Sequence, residues 1–175
     1  MPSDLVERVG PVPAVVQHND LGSWNIVTAA ETVFTAVDWE SARAEGFPLW
    51  DLVYFLTDAL LHVDGASHPE QRNAHNVRLF RGELESSAIL FRWLRRATEA
   101  LAIPDAAVGP LVTLCWLHHG MSGLHRRNAV ETYAPTTVGA SLADARRIAG
   151  LWVSTPGLGS EWNAWRPGRV GEGAL

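Results

Sequence analysis

One stretch near the start of the chain carries side chains that can do chemistry together. His18, Asp20 and Asn25 fit the pattern H-x-D-x-x-x-x-N, and Asp38 follows at the end of a later apolar run. A loop aspartate and an amide a few residues further on can converge on one site, and a hairpin can return a second carboxylate beside them. Because Mg²⁺ prefers hard oxygen ligands and keeps several waters, Asn25 and Asp38 are predicted Mg²⁺ ligands next to Asp20.

Taken alone, each of these residues also has a purely structural interpretation. Asp20 and Asn25 are common turn formers, and Asp38 can cap the end of a strand. Asp51 is either an acidic residue at a helix N-terminus or a brace for the loop, and the sequence leaves both open. Their joint spacing favours a site over isolated turns and caps.

Three further histidines, His118, His119 and His125, lie close together in a stretch without nearby carboxylates. A metal site usually recruits such histidines at ligand spacing together with other donors. We interpret the three as partly buried helix residues rather than metal ligands.

Short strands and a hairpin are predicted to hold the chemical residues. Residues 12–17 form an apolar run that predicts a strand ending at His18. Residues 25–28 and 33–37 are β-branched runs with a tight connection, which predicts a hairpin. Residues 38–47 have the composition of a loop.

The rest of the chain has the periodicity of helices. Pro48 suits a first helical turn, and apolar residues then recur three or four positions apart until Gly65. Further helices are expected over 70–102 with a bend near Gly82, from Asp105 through Leu124, and from Ser141 as N-cap to about Trp152.

These elements predict an α+β fold that is mostly α. Residues 1–155 are expected to form one domain, with a loose lead-in over 1–11 and short strands and a hairpin before a helical bundle. Residues 156–175 are rich in glycine and contain two prolines, so an irregular tail is expected there.

Composition excludes several classes of protein. With 47% hydrophobic residues in 175, the chain can fill a core, and 19% charged residues exclude wholesale disorder. The net charge of −5 lacks the basic footprint of a nucleic-acid-binding protein. All 14 basic residues are arginine, and the pairs among them are interpreted as solvated helix faces.

A cytoplasmic location without membrane contact is expected. Asp4 and Glu7 stand where a signal peptide has basic residues, and no apolar stretch reaches the roughly 18 residues of a membrane span. Cys115 is the only cysteine, so no intrachain disulfide is possible. Its neighbours Leu114 and Trp116 predict a small buried side chain rather than a nucleophile.

Three motifs together resemble a known family. They are HNDLGSWN over 18–25, VDWE over 37–40 and PLWDL over 48–52. The aminoglycoside and choline-type small-molecule phosphotransferases, a branch of the protein-kinase-like fold, write these as H-G-D-x-x-x-x-N, I-D-W/F-E and P-x-x-D-L. The resemblance covers residues 12–62 and departs from the pattern at Asn19 and at Ser23-Trp24.

The resemblance implies a catalytic lobe of protein-kinase type and a role for each matching residue. Asp20 would orient or deprotonate the hydroxyl of a small-molecule acceptor, and Asn25 and Asp38 would hold Mg²⁺ against the phosphates of ATP. His18 and Asp51 would support the catalytic loop through backbone hydrogen bonds. The helices after residue 70 would shape the acceptor pocket, whose residues the sequence does not identify.

The resemblance also exposes what is missing. The family places a nucleotide-binding lobe before these motifs, with a glycine-rich loop and a lysine that pairs with the phosphates. Few residues precede His18, none of them form a glycine-rich loop, and the chain has no lysine. The expectation is a truncated kinase-like transferase, weakly active or inactive alone, whose other lobe is lost or supplied by a second chain.

An alternative function is a kinase-derived binding module without catalysis. Loss of one lobe would expose apolar surface, which tends to recruit a partner or a second copy. The joint presence of Asp20, Asn25 and Asp38 favours the enzyme, because a binding module has no physical need for a metal-binding set.

Overall fold

The protein is α+β and mostly helical, as predicted. A computed structural model describes residues 2–30, 33–130, 138–155, 157–159 and 162. In chain order the elements are α1 (Pro2–Val9), β1 (Val15–Gln17), β2 (Ile26–Ala30), β3 (Val33–Ala36), β4 (Arg43–Gly46), α2 (Trp50–Val63), α3 (Pro69–Phe80), α4 (Ser87–Ala100), α5 (Asp105–Val130) and α6 (Val138–Ser154).

The predicted hairpin is confirmed, and a further strand pair was missed. Strands β2 and β3 are antiparallel, with Ile26 opposite Ala36. Inside the stretch predicted to be a loop, β4 pairs antiparallel with β1. The sequence of β4, RAEG, has none of the β-branched or aromatic residues that favour strands. Its conformation depends on pairing with a distant strand, which local sequence does not reveal.

Two helix boundaries also differ from the predictions. The stretch 70–102 forms two helices, because α3 ends at Phe80 and α4 begins at Ser87. Gly82 lies in the break with a φ of 74°, a left-handed conformation that glycine adopts at low cost. Ser141 lies inside α6 rather than at its N-cap, because that helix begins at Val138.

The predicted loose lead-in contains a helix. Helix α1 has Asp4 in its first turn and Arg8 in its last, which matches the helix dipole at both ends. Val9 is buried in the core, and α1 packs against α5. Helix α1 has eight residues, which are too few to show a clear helical periodicity in the sequence. Its packing against α5 stabilises a helix this short.

Helices α2 and α5 form the centre of the core. Val53, Val108 and Leu111 are fully buried there. Leu158 and Trp162 belong to the same cluster of buried residues, so the described part of the segment after α6 packs against the domain. The domain boundary at residue 155 stays a prediction.

No single helix among the described residues has the length and apolar character to cross a membrane. Helix α4 and the first part of α5 have a suitable combined composition, but they are bent by 117° relative to each other.

Gly46 tests the unpredicted β1–β4 pair. A Cβ at this position would overlap the side chain of Gln17, including its Cβ, and Gln17 is buried. We expect Gly46→Ala to lower the free energy of unfolding by about 1–3 kcal/mol. Thermal denaturation measures the effect, at roughly 2–4 °C per kcal/mol for a domain of this size.

Gly150→Ala is the matched control, because a Cβ on that residue of α6 meets nothing within 4 Å. We expect it to be neutral or stabilising by up to about 1 kcal/mol. Equal stability of the two variants would show that β4 does not pack against Gln17 as described.

Candidate functional site

The Asp51 carboxylate holds the start of the loop between His18 and Asn25. The backbone N–H of His18 donates to one carboxylate oxygen at 2.6 Å, and that of Asn19 donates to the other at 2.9 Å. Asp51 also lies in the first turn of α2, so both interpretations of this residue describe its position. Each carboxylate oxygen thus accepts one backbone N–H of the loop, while the residue itself lies at a helix N-terminus.

The side chain of His18 joins this loop to the strand that leads to Asp38. Its Nε2 donates to the carbonyl oxygen of Val37 at 2.8 Å, which requires the proton on that nitrogen. The ring is buried and contacts the Trp39 ring, with centroids 4.7 Å apart. His18 therefore contacts the residues on both sides of Asp38.

Asn25 closes the loop around Asp20. Its Nδ2 donates to the backbone carbonyl of Asp20 at 2.9 Å, and the same carbonyl accepts the N–H of Gly22 at 2.9 Å. Asn25 is buried, and its backbone carbonyl oxygen accepts the N–H of Val37 at 2.9 Å. With its nitrogen engaged, Asn25 keeps its Oδ1 for another partner.

Asp38 follows Val37, so the hydrogen bond from Val37 to Asn25 brings the backbones of the two predicted metal-binding residues to the same end of the β2–β3 hairpin. Its backbone has a φ of 63°, a left-handed conformation that aspartate and asparagine tolerate better than most residues. Its side chain is exposed and forms no hydrogen bond or ion pair with another described residue. The carboxylate can therefore bind a ligand from solvent.

The donors in this region suit Mg²⁺ but do not make a complete protein site. Among the described residues, no group of three or more His, Cys, Asp or Glu side chains could hold a metal ion. A carboxylate from Asp38 and an amide oxygen from Asn25 are hard ligands, and Mg²⁺ is commonly held by one or two carboxylates together with phosphates and water. The residue types are those that hold Mg²⁺ together with a phosphate ligand in other proteins.

A second carboxylate supports the middle of the loop and was missed in the sequence. Asp58 of α2 accepts hydrogen bonds from both the backbone N–H and the hydroxyl of Ser23. It lies two helical turns after Asp51, on the same face of the helix. The spacing of Asp51 and Asp58 could have indicated two carboxylates on one helix face. The neighbouring sequence does not indicate which loop residues they bind.

A cleft opens beside this loop, between β4 and the helices. It has a volume of about 110 Å³ and is lined by Gln17, Asn19, Arg43, Glu45, Gly46, Phe47, Trp50 and His118. The cleft does not include Asp20, Asn25 or Asp38, but Asn19 precedes Asp20 directly. A molecule in the cleft would therefore lie next to the loop without occupying the predicted metal site.

Two of the three helix histidines, His118 and His119, are partly buried, as predicted. His118 packs against Trp50 at 5.0 Å, and His119 stacks on Tyr54 at 3.9 Å with their rings nearly parallel. The side chain of His125 lies outside the described residues. Among those that are described, the histidines of α5 take part in ring packing rather than in a metal cluster.

Neither a family profile, nor a curated protein, nor a solved structure matches the chain.

Asp51→Asn tests the support of the loop. The variant keeps the shape of the side chain but removes its charge and directs an N–H₂ group toward one of the two backbone donors. Because hydrogen bonds to charged groups contribute about 1.5–3 kcal/mol each, we expect a loss of roughly 2–4 kcal/mol in unfolding free energy. Urea denaturation measures this difference.

Asp105→Asn is the control, because Asp105 also lies in the first turn of a helix but is exposed. We expect it to cost only the helix-dipole contribution, about 0.3–1 kcal/mol. Similar losses in both variants would mean that Asp51 acts only through the helix dipole.

Cys115 is predicted to be chemically inert in the folded protein. Burial, aided by the negative charge of Asp51, raises the pKa of the Cys115 thiol well above its ordinary value. Since the thiolate is the reactive form, we expect labelling by a thiol reagent at pH 8 to be at least about a hundredfold slower than in urea. The raised pKa also predicts stability that falls as pH rises above about 8.5, the ordinary thiol value. Rapid labelling without urea would contradict the burial.

Proposed function

We propose that this chain forms the catalytic lobe of an ATP-dependent phosphotransferase that moves the γ-phosphoryl group to a hydroxyl of a small molecule. The observation that carries the proposal is the convergence of the H-x-D-x-x-x-x-N loop and Asp38. Hydrogen bonds from Asn25 to Asp20 and from Val37 to Asn25 hold the loop and the strand side by side.

Each residue has a role consistent with its surroundings. Asp20 would accept or orient the hydroxyl proton of the acceptor. The oxygens of Asn25 and Asp38 would hold Mg²⁺, which would neutralise charge on the phosphates. Phosphoryl transfer relies almost entirely on such positioning and electrostatic stabilisation, so a rigid loop matters more here than a strong nucleophile.

The proposal includes a second source of nucleotide contacts. The chain has no lysine to pair with the phosphates, so a further lobe, on the same or another polypeptide, would supply them. Loss of a single preorganised donor costs about 10²–10³ in rate in other enzymes. The 175 residues by themselves would therefore turn over Mg²⁺-ATP at or near background.

The alternative function, a kinase-derived interaction module, is favoured by one observation. The strands expose large apolar side chains to solvent, including Val16 of β1 at 71% and Phe34 of β3 at 70% exposure. A partner that covers this region would be bound without any contribution from Asp38.

Mn²⁺ relaxation in NMR spectra tests the proposed metal site. We titrate the ¹⁵N-labelled chain with Mn²⁺ in the presence of ATP, since a paramagnetic ion broadens the amide signals near it. The proposal predicts that the amide signals of residues 20–25 and 37–40 disappear first. Asp38→Asn should abolish this selectivity, and asparagine preserves the left-handed backbone at that position.

Asp105→Asn is the control for general charge loss and should leave the broadening pattern unchanged. Broadening that is spread over exposed acidic residues and unaffected by Asp38→Asn would exclude the phosphotransferase and leave the interaction module. Robust ATP consumption that vanishes in Asp20→Ala would retain the enzyme but overturn the need for a second lobe.

A further inference from the structure

The cleft beside the loop carries two opposite charges, and both come from a strand of an irregular pair. In β1–β4, Val15 lies opposite Gly46 and Gln17 opposite Arg43, so the two strands are out of step by one residue. Such a bulge locally disrupts the ladder and redirects side chains. Arg43, Glu45 and Gly46 of β4 all line the cleft.

Neither charge is neutralised by another residue that the structure describes. Among the described residues, Arg43 and Glu45 form no ion pair or hydrogen bond with each other or with any other side chain. Two exposed, unpaired charges of opposite sign at one small cleft can bind a ligand that carries both complementary charges. A guanidinium recognises a carboxylate through paired N–H groups, and a carboxylate recognises an ammonium group.

The floor of the cleft is aromatic. The rings of Phe47 and Trp50 are stacked with centroids 4.8 Å apart, and the His118 ring also contacts Trp50, with centroids 5.0 Å apart. Trp50 is buried, whereas Phe47 keeps 41% of its surface exposed. This floor offers an apolar contact for the carbon atoms of a ligand and contributes to ammonium binding.

The wall next to the loop is rigid and polar. Gln17 donates from Nε2 to Oδ1 of Asn19 at 3.1 Å and accepts the N–H of Phe47 on Oε1 at 3.0 Å. Asn19 is held by Asp51 through its backbone, as described above. The Nδ2 of Asn19 makes no hydrogen bond with another described residue, so it can donate to a hydroxyl group at the end of the cleft nearest Asp20.

We propose that this cleft binds the phosphate acceptor, and that the acceptor is a small zwitterion: a hydroxyl compound bearing one ammonium and one carboxylate group. This rests on the proposed function for the role of the hydroxyl. Glu45 holds the ammonium group, Arg43 holds the carboxylate, and the hydroxyl points along Asn19 toward Asp20.

The size of the cleft supports a small ligand. A cavity of about 150 Å³ accommodates one benzene molecule, and this cleft is smaller, at about 110 Å³. A compound of a few carbon atoms fits within it, whereas a linked set of sugar rings would extend into solvent.

The test measures binding without nucleotide or metal. L-Homoserine is titrated into the ¹⁵N-labelled chain, and the shifts of the indole N–H of Trp50 and the backbone amides of Asn19 and Phe47 report the cleft. Two analogues each lack one charge: 3-amino-1-propanol has no carboxylate, and 4-hydroxybutyrate has no ammonium group. We expect saturable shifts with homoserine and at least about tenfold weaker binding of both analogues.

Variants assign the charges. Glu45→Gln and Arg43→Gln should each weaken homoserine binding about tenfold or more, since each removes one charged partner. Glu99→Gln and Arg92→Gln change exposed residues of α4 outside the cleft and should leave binding unchanged. Because the four positions are exposed, all variants are expected to fold, and their thermal denaturation checks this.

Each other outcome overturns the proposal. Equal binding of 3-amino-1-propanol, sensitive only to Glu45→Gln, would show a site for simple cations. Absence of shifts at the cleft residues would show no site for a small zwitterion. Failure of the phosphotransferase is distinguishable, because in that case homoserine binds the cleft while Mn²⁺ does not select the residues around Asp38.

Discussion

The arrangement of the candidate site depends on two backbone N–H groups that donate to one carboxylate. Asp51 accepts from His18 and Asn19 while it lies in the first turn of α2. A loop of this kind has no ladder of its own, so its backbone needs partners elsewhere. By binding two consecutive N–H groups, Asp51 fixes the loop to the most deeply packed part of the domain.

The consequences of this contact extend along the chain. Because the backbone of His18 is fixed, its ring can reach the carbonyl of Val37 and determine where the strand before Asp38 runs. The same fixed backbone places Asn19 at the wall of the cleft and Asp20 directly after it. One helix therefore positions the proposed base, the proposed metal ligand and the proposed acceptor cleft, which are far apart in sequence.

The elements that the sequence predicts correctly are those that a local sequence pattern determines. The hairpin and helix α2 follow from β-branched runs and apolar periodicity, and both are present. The grouping of Asn25 with Asp38 follows from the hairpin, because its register sets which residues lie on neighbouring strands. Strand β4 was missed because RAEG has no strand propensity and owes its conformation to β1.

The acceptor cleft could not be found for a similar reason. Arg43 and Glu45 look like ordinary surface charges in the sequence, and only the pairing of β4 with β1 shows that both line a cleft. Asp58 likewise pairs with Ser23, a contact that its place in the sequence does not indicate. In each case the information lies in a contact between residues that the chain separates widely.

Amide hydrogen exchange measured by NMR shows whether Asp51 holds the loop through the backbone N–H groups of His18 and Asn19. These two amides should exchange far more slowly than exposed amides outside regular structure, and Asp51→Asn should accelerate both by about tenfold to a hundredfold. Fast exchange at His18 and Asn19 in the unaltered chain, or rates that Asp51→Asn leaves unchanged, would contradict the account.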